Sequence, residues 1–163
     1  MSLQPGESIP DLTLTVVDEA GPKPVPANEF FGGKTVVLFA VPGAFTPTCS
    51  ARHLPGFKDH AADFKSHGVD VVACISVNDY FVMKAWAKDQ GIGDEVVMLA
   101  DGNGDFAKAV GLELDGSGFG MGPRSQRYAM IVKDGKIDKL FVEGKGEFKV
   151  SSAEYVLEQL ETV

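Results

Sequence analysis

Residues 35–49 read TVVLFAVPGAFTPTC, an apolar run followed by a loop that is rich in proline and glycine and ends on Cys49. The run TVVLFAV is rich in β-branched residues and has no polar alternation, so it predicts a β-strand buried on both faces near the centre of a sheet. In the loop, Thr46 is a good N-cap residue, and Pro47 suits the first helical position, where its missing N–H loses no hydrogen bond. Cys49 therefore falls at the third position of a predicted helix.

The rest of the chain alternates strand and helix patterns. Residues 47–66 have apolar side chains at helical spacing, and Pro55 predicts a kink or break near the middle because its ring clashes with the carbonyl of Ala51. The other predicted elements, in chain order, are a buried strand at 69–77, an amphipathic helix at 79–90, a short strand at 95–100, a short helix at 105–110, a hairpin at 127–143 that turns at Asp134 and Gly135, and a helix at 151–161. This order predicts a single α/β domain, residues 1–163, with a central mixed β-sheet covered by helices on both faces.

Composition and charge argue against several classes of protein. The net charge is −8 and no basic block is present, which argues against a nucleic-acid partner because clustered Lys and Arg supply most of that affinity. No apolar stretch approaches the roughly 20 residues that span a bilayer, so a membrane protein is not expected. The N-terminal stretch MSLQPGESIPDL lacks a secretory signal, and we expect a cytoplasmic protein, although a trimmed organellar form would look the same.

The two cysteines, Cys49 and Cys74, are 25 positions apart and form neither a disulfide framework nor a zinc pattern. At Cys49, the free N–H groups and the positive dipole end of a helix start stabilise an anion, and the thiolate is the nucleophilic form of cysteine. Cys49 is therefore predicted to be a reactive nucleophile. The alternative is a small buried residue that fills an ordinary strand-to-helix turn.

Pro42, Thr46 and Cys49 match P-x-x-x-T-x-x-C, the active-site signature of the peroxiredoxins. The string VPGAFTPTCSARHLPGF resembles the type II (fifth-class, atypical) subfamily, and the similarity continues through GPRSQRYAMIVKDGKI and covers nearly the whole chain. The resemblance implies a thioredoxin-like fold and a thiol peroxidase that needs no metal, haem or flavin. It further implies that Cys49 attacks the O–O bond of hydrogen peroxide or a small organic hydroperoxide and becomes a sulfenic acid.

The same resemblance assigns roles to three other residues. It carries the family's arginine onto Arg127, whose guanidinium can stabilise the thiolate and the charge that develops on the leaving oxygen. Thr46 is expected to accept from helix N–H groups while its hydroxyl donates to the thiolate or the peroxide. Pro42 is expected to shield the pocket without adding a competing N–H, although it could also be a plain strand terminator.

Three further residues are weaker candidates for the site. His53 lies four residues after Cys49 and is expected to form a local hydrogen bond that orients the site. Arg124 either assists Arg127 or is a solvated loop residue. By resemblance, Phe119 in the loop LDGSGFGMG lies near the active site and at a homodimer contact; the alternative is a flexible surface loop.

Cys74 lies within the apolar strand pattern VDVVACISV and is predicted to be a packing thiol. The alternative, a resolving cysteine, is disfavoured because Cys49 follows one strand while Cys74 lies inside a neighbouring one. Their Cα atoms should therefore be farther apart than the roughly 7 Å that a disulfide allows. Without a resolving cysteine, the sulfenic acid must be reduced by an external thiol, with glutathione and glutaredoxin favoured over thioredoxin.

Other functions fit the sequence less well. A thiol–disulfide oxidoreductase normally needs a second nearby cysteine, as in C-x-x-C, and none is present. A redox sensor or chaperone-like binding protein using the same sulfenic acid would differ by failing to turn over peroxide with a thiol donor. LDGSGFGMG does not fit a nucleotide-binding motif. DGNGD begins like a calcium loop, but Phe106 stands at position six, where glycine is needed, and Leu112 at position twelve, where glutamate is needed.

Overall fold

The computed structural model describes residues 2–161. In chain order the strands are β1 (Thr13–Asp18), β2 (Gly21–Pro26), β3 (Thr35–Val41), β4 (Val71–Ser76), β5 (Val97–Ala100), β6 (Glu113–Asp115), β7 (Pro123–Ser125), β8 (Tyr128–Lys133) and β9 (Lys136–Val142). Seven of them form one sheet in the order β2–β1–β5–β4–β3–β8–β9, and β6 pairs with β7 separately. The predicted single domain includes residues 1, 162 and 163, which lie outside the described residues, and its extent stays a prediction.

The main sheet is mixed, as predicted. Strand β3 runs parallel to β4, and β4 runs parallel to β5, whereas β8 is antiparallel to β3 and β1 is antiparallel to β5. Strand β3 is an inner strand, and its side chains from Val36 to Val41 have no solvent exposure. A strand buried on both faces needs apolar residues at every position, which explains the unbroken run in its sequence.

Helices cover both faces of this sheet, which confirms the predicted α/β layering. The helices are α1 (Ala27–Phe31), α2 (Leu54–Asp59), α3 (Ala61–Ser66), α4 (Tyr80–Asp89), α5 (Asp105–Val110) and α6 (Ala153–Glu161). Helices α2, α3, α4 and α6 pack on the face that includes Phe39, and Cys49 belongs to the same core. Helices α1 and α5 pack on the face that includes Leu38. In the part of the chain described, no helix is long and apolar enough to cross a membrane.

The segment expected as one kinked helix at 47–66 is divided into three parts. A π-helical turn covers Cys49–His53, and α2 and α3 follow it with a break at His60. The N–H of Leu54 donates to the carbonyl of Cys49, five residues back, in place of the usual four. Because Pro55 has no N–H to donate to Ala51, the predicted irregularity takes the form of a widened turn directly before the proline.

The sequence analysis assigned no element to residues 13–31, where the structure has the β1–β2 hairpin and α1. Strand β2 contains Pro22, Pro24 and Pro26 and lies at the edge of the sheet. Prolines are tolerated on an edge strand because an edge strand needs only half of its backbone groups for pairing. The predicted hairpin turn is confirmed, since Asp134 and Gly135 both have positive φ, 50° and 78°.

Candidate active site

Cys49 lies beyond the carboxyl end of β3, at the start of the helical segment that leads to α2. The carbonyl of Thr46 accepts from the N–H of Ser50 at 2.9 Å, so helical hydrogen bonding begins at Thr46. Cys49 has no solvent exposure and packs in the core beneath α2. Its sulfur is therefore held in a dry site at the first turn of a helix, where backbone N–H groups have no helical partner.

The Thr46 side chain makes a different contact from the expected one. Its hydroxyl donates to the carbonyl of Gly43 at 2.6 Å and so closes the loop between β3 and the helical segment. Within the loop Phe45 adopts a positive φ of 64°, and its ring is half exposed. Since the hydroxyl proton is directed at Gly43, the oxygen lone pairs are what Thr46 can offer to another group.

Arg127 reaches Cys49 across the sheet. The register of β3 and β8 pairs Ala40 with Tyr128, so the residue before β8 lies beside the end of β3. From this position the Nη2 atom of Arg127 donates to the Cys49 sulfur at 3.0 Å. A guanidinium in this position supplies both a positive charge and a hydrogen bond to the sulfur.

His53 lies on the other side of the same guanidinium and is completely buried. Its Nδ1 atom is 2.7 Å from Nη1 of Arg127, and its Nε2 atom is 2.9 Å from the carbonyl oxygen of Ser151. Because the arginine can only donate, Nδ1 accepts and the ring proton resides on Nε2. Burial, and then the charge of Arg127, lower the pKa of His53 to about 3, so the ring is neutral at physiological pH.

Comparisons with known proteins identify relatives of this chain. A protein-family model described as Redoxin matches residues 4–157. Peroxiredoxin-2E, chloroplastic, of Arabidopsis thaliana is 50% identical over 98% of this chain and 70% of that protein, and Peroxiredoxin-2B of the same plant is 46% identical over 95% of this chain and 96% of that protein. The crystal structure of reduced Prx3 in complex with hydrogen peroxide from Vibrio vulnificus has a TM-score of 0.93 and 51% identity, with 98% of this chain and 99% of that chain covered.

The chain belongs to the peroxiredoxin family. As a type II peroxiredoxin it is a thiol peroxidase with a thioredoxin-like fold, which confirms the family and the enzyme class inferred from the P-x-x-x-T-x-x-C signature.

In this peroxiredoxin three loops are hydrogen-bonded together around the Cys49 segment. The N–H of Ala44 donates to the side-chain oxygen of Asn78 at 3.0 Å. Arg124 donates to the carbonyl of Val77 at 2.9 Å and to that of Met121 at 3.0 Å. The half-buried Arg124 thus ties loops together and is not a solvated loop residue, and its assistance to Arg127 stays a prediction.

Pro42 and Phe119 are the remaining predicted site residues. Pro42 is partly buried directly after β3, and Phe119 is 85% exposed in the glycine-rich loop. That loop does approach the site, since a Cβ added at Gly43 would lie 3.1 Å from Cε of Met121. The same Cβ would lie 3.2 Å from Cγ2 of Thr46, so a larger residue at position 43 would require these neighbouring side chains to shift.

Cys74 lies on β4 opposite Phe39, fully buried in the same core as Cys49, and both thiols are free. Burial, and then the proximity of Cys49, raise the pKa of Cys74 well above its ordinary value. A neutral buried thiol is a poor nucleophile, which agrees with a packing role. Among residues 2–161, no three His, Cys, Asp or Glu side chains are grouped so that they could hold a metal ion.

Phe148 and Ser151, in the connection between β9 and α6, were missed by the sequence analysis. The Phe148 ring lies 4.9 Å from the His53 ring, and the guanidinium of Arg52 lies 4.6 Å from the centre of the same phenyl ring. Ser151 supplies the carbonyl that binds Nε2 of His53. The available signal was a lone aromatic residue in the otherwise polar connection GKGEFK.

Proposed function

We propose that this peroxiredoxin reduces hydrogen peroxide and small organic hydroperoxides with Cys49 as the nucleophile. The observation that carries the proposal is the 3.0 Å contact between Nη2 of Arg127 and the Cys49 sulfur. The thiolate attacks one peroxide oxygen, the O–O bond breaks, and the sulfur becomes a sulfenic acid. The second oxygen leaves with the electron pair of that bond and takes up a proton to form water or an alcohol.

The loop that leads to Cys49 supports roles for Thr46 and Pro42. With its proton directed at Gly43, the Thr46 hydroxyl accepts a hydrogen bond from the O–H of the bound peroxide and so orients it toward the sulfur. Pro42, which has no N–H, closes the pocket without adding a donor that competes for the peroxide. Since Cys49 has no solvent exposure, small peroxides are favoured over bulky ones.

We further propose that the sulfenic acid is reduced by external thiols, with glutathione and glutaredoxin more effective than thioredoxin. The burial of Cys74 and its raised pKa argue against an internal disulfide partner. Glutathione attacks the sulfenic acid sulfur, water leaves, and a mixed disulfide forms; a glutaredoxin thiolate then displaces Cys49 by attacking the glutathione sulfur. This cycle requires a reducing pool, such as that of the predicted cytoplasmic location.

The test is peroxide consumption measured side by side with a glutathione–glutaredoxin system and a thioredoxin system. Wild type and Cys74→Ala should turn over with the first system, and Cys49→Ser should be inactive. Mass spectrometry of protein oxidised in the presence of glutathione should find one adduct, on Cys49. A disulfide between Cys49 and Cys74, with activity lost in Cys74→Ala, would show that the reductant is assigned wrongly.

Three exposed aromatic side chains support a homodimer formed near the active-site face. Phe45, Phe81 and Phe119 are 51%, 77% and 85% exposed. Phe45 and Phe119 lie on the loops that surround Cys49. Phe81 is the second residue of α4, which follows β4 at the same edge of the sheet. Exposed aromatic residues in one region are typical of an interface between protein subunits.

Sedimentation analysis of wild type and Phe119→Glu tests the dimer. Wild type should sediment as a dimer, and the introduced charge should shift the protein toward monomer. Ser66→Glu, at the end of α3 before β4, lies at the opposite edge of the sheet, adds the same single negative charge and should leave the dimer intact. A wild-type monomer at all concentrations would rule out this assembly.

A further inference from the structure

Glu143 is a buried carboxylate that has no part in the proposed chemistry. It follows β9 directly and is only 9% exposed. Its Oε2 atom accepts three hydrogen bonds: from the N–H of Lys149 at 2.7 Å, from the N–H of Ser151 at 2.8 Å and from the hydroxyl of Ser151 at 2.6 Å. Three donors on one carboxylate oxygen fix the path of the chain from Lys149 to Ser151.

The carboxylate is ionised at neutral pH. Burial acts to raise the pKa of Glu143, but hydrogen bonds from Ser151, Lys149 and Val150 outweigh burial, and the pKa is lowered. The donors are therefore bound by a full negative charge. A charge-assisted hydrogen bond is shorter and stronger than a neutral one, so this connection is held more firmly than an ordinary surface loop.

Ser151 transmits this ordering to the active site. Its carbonyl oxygen accepts from Nε2 of His53, and Nδ1 of His53 accepts from Nη1 of Arg127. Nη2 of the same guanidinium then donates to the Cys49 sulfur. A backbone hydrogen bond also connects Glu143 directly to Arg127, because the N–H of Glu143 donates to the carbonyl of Arg127 at 3.0 Å.

We propose that Glu143 is a positioning residue for peroxide reduction, because it places the Ser151 carbonyl that selects the Nε2–H tautomer of His53 and so keeps Nδ1 as the acceptor for Arg127. The inference rests on the proposed roles of Cys49 and Arg127. If the carbonyl moves away, His53 can carry its proton on Nδ1. Two N–H groups would then face each other, and the hydrogen bond between His53 and Arg127 would be lost. Without the hydrogen bond to His53, the guanidinium is no longer held in place and moves away from the Cys49 sulfur.

The experiment compares Glu143→Ala, Glu143→Gln and Glu147→Ala by their second-order rates with hydrogen peroxide. Glu143→Ala should be slower by about tenfold to a hundredfold, the cost of a misplaced group near the reacting atoms. Glu143→Gln keeps an acceptor oxygen and should recover most of the rate. Glu147 is an exposed acid of the same connection that pairs with the Lys149 side chain, and its replacement should leave the rate unchanged.

A spectroscopic measurement separates positioning from a general loss of stability. The chain has three histidines, so the imidazole nitrogens can be assigned by ¹⁵N NMR. Wild-type His53 should be the Nε2–H tautomer at neutral pH, and Glu143→Ala should show a tautomer mixture or a protonated ring. His53→Gln combined with Glu143→Ala should be no slower than His53→Gln alone, because both changes act on the same contact.

Each outcome decides one question. A folded Glu143→Ala protein with the wild-type rate, or a slow one with an unchanged His53 spectrum, overturns the positioning role. If Glu143→Ala does not fold, Ser151→Ala takes its place, because it removes one hydrogen bond to the carboxylate. Ser151→Ala should lower the rate less than Glu143→Ala and shift the His53 spectrum in the same direction. An unchanged rate and an unchanged spectrum would also overturn the role. An inactive wild type, or an active Cys49→Ser, would instead contradict the proposed function.

Discussion

The Nδ1 atom of His53 lies 2.7 Å from Nη1 of Arg127, and the imidazole must accept at that nitrogen. Its other nitrogen donates to the Ser151 carbonyl, so both sites are in use only when the ring is neutral. A protonated ring would place two positive groups in contact inside the core. The position of the arginine next to Cys49 thus depends on a histidine that stays uncharged.

We expect the free energy of unfolding to fall as the pH is lowered from about 6.5 to about 3. The pKa of His53 is near 6.5 in the unfolded chain and about 3 in the folded protein, so between these values only the unfolded state binds the proton. Across this whole pH range the free energy of unfolding should fall by about 5 kcal/mol, at about 1.4 kcal/mol per pH unit. Denaturant unfolding between pH 4 and 7.5 measures this slope.

One variant serves as the control for the pH experiment. His53→Gln removes the titrating group, and its stability should depend less on pH in this window. His60 behaves in the opposite sense, because a hydrogen bond that its ring donates to the Asp63 carboxylate raises its pKa; its contribution to stability is present below 6.5 and is lost as the pH rises. Equal slopes in wild type and His53→Gln would contradict the neutral buried imidazole.

Replacing Arg127 by Lys should slow peroxide reduction about 100-fold or more, the usual cost of losing a donor that stabilises developing charge. A lysine keeps the positive charge, but its single nitrogen cannot bridge the Cys49 sulfur and His53 as the guanidinium does. Stopped-flow kinetics with hydrogen peroxide measures the effect. Arg124→Lys is the matched control and should slow the reaction less, because Arg124 donates to backbone carbonyls and not to the sulfur. A larger loss in Arg124→Lys than in Arg127→Lys would reverse the assignment.

Thr46→Val should impair chemistry more than folding. The change preserves the shape of the side chain but removes the hydroxyl that donates to Gly43 and that we expect to accept from the peroxide. The lost hydrogen bond should cost about 1 kcal/mol of stability, whereas the peroxidase rate should fall about 100-fold. Thr46→Ser retains the hydroxyl and should remain active. Peroxidase rates in Thr46→Val close to those of wild type would exclude a catalytic role for the hydroxyl.

The single tryptophan should report the oxidation of Cys49. The Nε1 atom of Trp86 donates to the hydroxyl of Ser50 at 3.0 Å, and Ser50 follows Cys49 directly. Converting the sulfur to a sulfenic acid adds an oxygen to a closely packed site, so the indole environment should change. Fluorescence should shift on adding peroxide to wild type, shift less in Ser50→Ala and stay constant in Cys49→Ser. A shift in Cys49→Ser would mean that the signal comes from elsewhere.

Several parts of the fold and site follow from residues close together in the chain. The buried strand β3 depends on its β-branched side chains. The helix start after Thr46, and with it the place of Cys49, depends on the geometry of Pro47. These effects act over a few residues, so the sequence predicts them. The irregular turn before Pro55 was likewise predicted as a kink or break, although its π-helical form was not.

What the sequence determined by itself is the strand-to-helix turn and, through the family resemblance, the class of enzyme and the proposed roles of Cys49 and Arg127. Only the tertiary structure decided how Cys49 and Arg127, 78 residues apart, meet across the β3–β8 pairing, and that His53 lies between Arg127 and Ser151. It also decided that the Thr46 proton is directed at Gly43 and that a buried Glu143 orders the connection before α6. Such contacts have no periodicity or short spacing along the chain, because they arise where sheet register and loop packing bring distant polar groups together in a site without water.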